Sequence, residues 1–357
     1  MIDPGPELVD RLFGALMVDE AWSERTPRGF TWWPHEFAQH IRVGQPIEDD
    51  GVVGCRVHVE TDALAGLPAG GAAELDDTLV SLMRFPPMAG FCRGEGRVRL
   101  WSGVFIEGER APFLVARLAV AAVLQATYAE LGAEGLVEAT RLSADRSAHP
   151  RSGRRVEPDE MLRLAGARIV PEGDAPSRWD DGEECVAIAR ELGERGARAL
   201  AEPRGLNARF PFRKPSGTED AFSAAGSSLL QVRNDVGHPE LGNGVFVRLF
   251  LPSARAGGGS LADMALRLNE LEKAQDDFTL ASLGSWCLAQ SEPEKILYDV
   301  LPAPARIAHV SFLPNVLFSP GTLRNVVMEA GRRALWAAHL FTHAGEFDAA
   351  GKLPSYP

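Results

Sequence analysis

The chain has 357 residues, of which 45% are apolar and 24% charged, and a formal net charge of −12. That length suits about two domains, each able to bury its own core. The acidic balance disfavours a nucleic-acid partner or an anionic membrane surface.

The four cysteines, Cys55, Cys92, Cys185 and Cys287, are far apart and form no C-x-x-C pair. They read as reduced, buried thiols of a cytoplasmic protein rather than a disulfide framework or a zinc site. The first residues lack the basic start and apolar core of a signal peptide. The most apolar stretch, 113–131, is interrupted by Arg117, Gln125 and Glu130. It reads as a buried helix, with no membrane span expected.

In chain order, a first helix is expected over 6–21, with Leu8, Leu12, Phe13, Leu16 and Met17 on one face. Strands follow at 37–43 and 52–59, separated by a turn through Gly44, Pro46 and Gly51; Val53, Cys55, Val57 and Val59 alternate with polar or small residues. A helix at 75–83, strands at 88–92 and 98–106, and the 113–131 helix complete a unit. The later chain repeats the order: a helix at 183–200, strands at 229–232 and 245–251, a helix at 261–274, strands at 278–288, 296–300 and 307–318, and a helix at 323–341.

The turns align without a gap at one offset, matching Gly44 with Gly237, Pro46 with Pro239, Gly51 with Gly244 and Val52 with Val245. Towards the unit ends a larger offset matches Val104 with Val316, Val115 with Val327 and Ala122 with Ala334. The extra residues of the second copy are assigned to longer strands. The expected fold class is therefore α+β: two duplicated units of antiparallel sheet flanked by helices. The units are placed at 1–140 and 181–345, with a linker at 141–180 rich in proline, glycine and charge, and a tail at 346–357.

Catalytic and cofactor motifs fare poorly. Gly257-Gly258-Gly259-Ser260-Leu261-Ala262 fits a loose dinucleotide loop, but Asp276 and Asp277 precede a strand rather than end one. His339 and His343 share a helical face with Glu346 beyond them, yet H-E-x-x-H is absent. His35 and His40 are five apart and point differently, and His58, His149, His238 and His309 are isolated. Ser285 and Cys287 lie in a strand pattern with no G-x-S-x-G elbow. Acidic pairs such as Asp76-Asp77 and Glu183-Glu184 suit helix starts. Arg146, Arg151, Arg154 and Arg155 read as a solvated loop. No enzyme activity, metal or cofactor is expected.

Trp101, Trp286 and Trp336 read as core. Trp32 and Trp33 are neighbours on an expected extended segment and face opposite ways, so one is expected at the surface as an interface residue.

The run Ala265-Leu266-Arg267-Leu268-Asn269-Glu270-Leu271-Glu272, followed by a strand meander, Leu301-Pro302 and a closing helix, resembles the YbjN family. That family is similar in fold to type III secretion chaperones of the CesT kind. The first copy lacks the Leu268-Asn269 step and reads Leu79-Val80-Ser81-Leu82-Met83-Arg84. The resemblance implies a chaperone-like binder of polypeptide segments on an exposed sheet face or edge, arranged as a monomeric pseudo-dimer or a homodimer. It points to Trp32, Trp33, Leu268 and Asn269 as peptide-binding residues. The alternatives are a component of a secretion or conflict-system complex, or a small-ligand binder or enzyme on the same scaffold.

Overall fold

A computed structural model describes residues 3–49, 51–68, 73–107, 111–164, 169–211, 222, 226–252, 260–275, 278–290 and 305–342. The first half contains α1 (Gly5–Ala15), β1 (Ser23–Thr26), β2 (Gly29–Trp32), β3 (Gln39–Asp49), β4 (Val52–Ala65), α2 (Ala73–Leu82), β5 (Gly90–Gly94), β6 (Arg97–Glu107), α3 (Ala111–Thr140) and β7 (Ser143–Ala144). Short helices α4 (Glu160–Leu164) and α5 (Val170–Asp174) follow. The second half contains α6 (Gly182–Glu194), β8 (Arg198–Glu202), β9 (Gly205–Pro211), β10 (Ser227–Arg233), β11 (Gly244–Phe250), α7 (Leu261–Ala274), β12 (Ser285–Ala289), β13 (Arg306–Pro314) and α8 (Thr322–Thr342).

The protein is α+β, with two antiparallel sheets. The first runs β1-β2-β3-β4-β6-β5, with β7 added to β4; the second runs β8-β9-β10-β11-β13-β12. Element order and strand order thus coincide between the halves. Alternation along β4 explains the layering. Gln39 and Thr61 face α3, where the Gln39 amide reaches the Ala122 carbonyl at 2.8 Å and the Thr61 hydroxyl donates to Gln125 at 3.2 Å. Cys55, Val57 and Val59 share that parity and are fully buried. In the second sheet Val247, Leu249, His309 and Ser311 lie beneath Val326 and Ala330 of α8.

Several expectations need correction. The hairpin β1–β2 and the strands β8 and β9 went unread. The helix expected over 183–200 takes in residues 198–200 of β8, where alanine and leucine favour a helix. The chain instead leaves α6 near Gly196, whose φ of +88° only glycine adopts freely, and continues extended. Gly44 and Pro46 lie inside β3, past a register shift between Val43 and Pro46, whereas residues 237 and 239 lie in a loop before β11. Val104 is in β6, but Val316 sits in a 3₁₀ turn, Asn315–Leu317. The first offset thus pairs Gly44 and Pro46 with unlike positions but sets Val52 and Val245 in the equivalent strands β4 and β11, and the larger offset sets Val115 and Ala122 of α3 against Val327 and Ala334 of the equivalent α8. The second half's strands are not longer: β10 and β11 have seven residues each, against 11 in β3 and 14 in β4. Of the predicted 278–288 strand, only its end is β12. The 296–300 strand lies outside the described residues.

The expected linker is also not a free connection. Residues 143–159 run back along the first half. Asp145 N–H donates to Ala63 O at 3.0 Å, Ser147 N–H to Glu36 O at 2.9 Å and Asp159 N–H to Pro34 O at 2.7 Å. Arg146 pairs with Glu36, and Arg155 with Asp159. Helix α3 is long and apolar enough to cross a membrane by length and composition, and here it is largely buried against the first sheet.

Candidate functional site

The halves meet through their second helices and last strands. Helix α7 packs on β5, α2 packs on β12, and α2 packs on α7, so each half covers the sheet edge of the other. A peptide bridge between Gly103 and Ser282 adds paired backbone hydrogen bonds of 3.1 and 2.7 Å. Arg56, from the outer face of β4, donates to the carbonyls of Phe278 and of Leu280 (2.8 Å) and to the Ser282 hydroxyl (3.1 Å). Arg93 of β5 forms ion pairs with Asp263 and Glu270 of α7 and with Asp76 of α2.

This junction decides the fate of the predicted peptide-binding residues. Leu268 and Asn269 are in the middle of α7, not at its end, and both are buried. The Asn269 amide donates to Phe91 O across the junction and to Trp286 O, both at 3.2 Å, while its oxygen accepts from Trp286 N–H at 2.9 Å. The side chain joins backbone to backbone inside the protein, and no surface remains for a client. The exposed member expected of the Trp32–Trp33 pair does not exist: both are buried. Trp33 Nε1–H donates to Ser147 Oγ at 3.1 Å, its ring meets His149 edge-on at 4.9 Å, and its carbonyl accepts from Arg155 at 3.1 Å. Sequence could not show this, because the covering segment is more than a hundred residues away.

Beneath α7 lies a charged centre. Glu272, 1% exposed, accepts from Trp286 Nε1–H at 2.7 Å, Arg333 Nε–H at 2.8 Å and the Ser282 hydroxyl. Burial raises its carboxyl, but the Arg333 guanidinium and these hydrogen bonds outweigh it and hold the group at about 2. Burial and Arg333 hold nearby His309 at about 3. Every carboxylate oxygen is satisfied by protein, so this is a structural ion pair rather than a reactive acid.

Trp101, Trp286 and Trp336 are core residues, as expected. The four cysteines are free and buried, and burial raises each thiol above its ordinary value. Ser260 caps α7 by accepting from Asp263 N–H at 3.0 Å. Gly257–Gly259, Asp276, Asp277, His343 and Glu346 lie outside the described residues. Among the described residues no group of three or more His, Cys, Asp or Glu side chains is placed to hold a metal.

Two surface features remain. A polar cleft of about 390 Å³ between the halves is lined by Glu107, Thr279, Arg324, Glu329 and Arg332, with Arg195 at its edge. Two of its arginines are already satisfied, since Glu191 binds both Arg195 (2.8 Å) and Arg324 (2.6 Å). The other feature is the pair of outer sheet edges, β1 and β8. At β1, the neighbouring residues are tied down: Ser152 donates to Ala21 O at 2.7 Å, Arg155 lies 3.5 Å from Asp19, and Arg25 pairs with Asp10. At β8, only β9 pairs with the strand among the described residues. Leu200 at its centre is 44% exposed. No protein-family model, curated protein or solved structure matches the chain.

Proposed function

We propose that this protein is a non-catalytic, chaperone-like polypeptide-binding module that accepts an extended segment along β8. The outer side of β8, which pairs with no strand among the described residues, carries this reading. An edge strand presents unpaired backbone donors and acceptors that an incoming strand satisfies. Arg198–Glu202 contains no proline or bulge to block such pairing, and Leu200 offers an apolar contact. Four free thiols support residence in a reducing compartment, the cytoplasm. The halves, locked through α2, α7, β5 and β12, form an internal pseudo-dimer that holds β8 at the far end of its sheet.

The test is a fluorescence-anisotropy screen of labelled extended peptides against the full chain. Binding is expected for wild type and lost in Ala199→Pro, which removes an outward backbone donor from the edge: Glu202 and Gly205 flank a two-residue turn as a hydrogen-bonded pair, so Leu200 bonds to Asn207 of β9 while Ala199 and Ala201 point outward. Leu335→Asp, at an exposed apolar position of α8, should leave binding intact. Peptide binding that survives Ala199→Pro and disappears in Leu335→Asp overturns the proposal.

A further inference from the structure

The sequence of β8 is Arg-Ala-Leu-Ala-Glu. Set antiparallel to itself about Leu200, it places Arg198 opposite Glu202, Ala199 opposite Ala201 and Leu200 opposite its own copy. Residues directly opposite on an antiparallel pair share a face. Arg198, Leu200 and Glu202 lie on one face of β8, so both charge pairs and the leucine contact form together. A two-fold axis through Leu200 makes the contact isologous and closed.

Each of these charged side chains also has a neighbour in its own chain. Arg198 lies 4.6 Å over the Phe222 ring. Glu202 accepts from Asn207 Nδ2 at 2.8 Å and stands 3.5 Å from Arg233. Short alanines on the opposite face leave room for the approaching backbone.

We infer that the strand occupying β8 is the β8 of a second copy of this chain, which joins two six-stranded sheets into one continuous sheet. This inference rests on the polypeptide-binding reading of the same edge and names its partner.

Sedimentation velocity over a concentration series tests it with the full-length chain. Wild type is expected to dimerise. Arg198→Glu sets Glu against Glu202, and Glu202→Arg sets Arg against Arg198; each alone should weaken dimerisation about tenfold. Mixing the two variants should restore dimers, because each Glu then faces an Arg. A variant that had merely misfolded would not be rescued. A monomeric wild type, or single variants that dimerise like wild type, overturns the inference. A monomeric wild type that still loses peptide binding on Ala199→Pro overturns the second copy alone, whereas a wild type that neither dimerises nor binds peptide overturns the edge reading as well.

Discussion

The two halves share one order of elements and one strand order, yet they finish their outer edges and their shared junction with different chemistry. The first half's edge region is strapped by residues 143–159, which return from α3 and cover Trp33. In the second half, only β9 pairs with β8 among the described residues. At the junction, α2 contributes Asp76 to Arg93, whereas α7 contributes Asp263 and Glu270 to the same guanidinium and the Asn269 amide to Phe91 O. A common topology therefore does not fix which surfaces remain available. Added segments and single polar side chains decide that.

The sharpest way to break the comparison is the charged centre beneath α7, where Glu272 and Arg333 are both almost fully buried. Glu272→Gln should cost roughly 3–5 kcal/mol, since it leaves Arg333 buried without its counter-charge. Equilibrium urea unfolding measures this, and Leu79→Ala in α2 gives the apolar counterpart, at about 2–5 kcal/mol. A small loss for Glu272→Gln would show that Arg333 finds another partner.

Acid provides the next probe. Burial, with Arg56, Arg42 and Lys273 nearby, holds His58 at about 2; burial holds His309 at about 3 and His238 at about 4. The unfolded chain protonates these imidazoles near the ordinary value of 6.5, so it binds more protons below that pH. Stability should fall as pH drops from 6.5 towards the folded values, by about 2 kcal/mol per histidine at pH 5. Glu272, held low, keeps its contribution above about 4.5 and loses it as pH falls towards 2. Urea midpoints at pH 7 and pH 5 should differ in wild type and differ less in His309→Gln. An equal difference in both would exclude His309 as a contributor.

Smaller effects sharpen the comparison. Asn269→Ala should cost roughly 1–3 kcal/mol by stranding the Trp286 and Phe91 backbone groups. Hydrogen exchange should rise at β5 and β12 together, because one side chain serves both. Ser147→Ala should cost about 1 kcal/mol and raise exchange in the strap and in β2, while leaving β8 unchanged.

Much of the architecture was legible in local pattern. The 3.6-residue spacing of Leu8 and Leu12 marked α1, the alternation through Val57 and Val59 marked β4, and the repeated order of elements exposed the two halves. Short strands such as Arg25 in β1 and Leu200 in β8 carried no such signal. Four or five residues contain too few alternations to outweigh helix propensity. The gapless turn alignment held at Val52 and Val245, in the equivalent strands β4 and β11, and lost its meaning at Gly44 and Pro46, because glycine and proline also occur at an irregularity inside a strand.

By itself, the sequence determined the class of fold, the burial of Trp101, Trp286, Trp336 and the cysteines, and the doubling of the unit, since all follow from hydrophobic periodicity along neighbouring residues. The tertiary structure alone decided that Trp32, Trp33, Leu268 and Asn269 are enclosed and that β8 pairs on one side only among the described residues. Exposure depends on segments far away in the chain, and no local pattern encodes which of them will cover a given face.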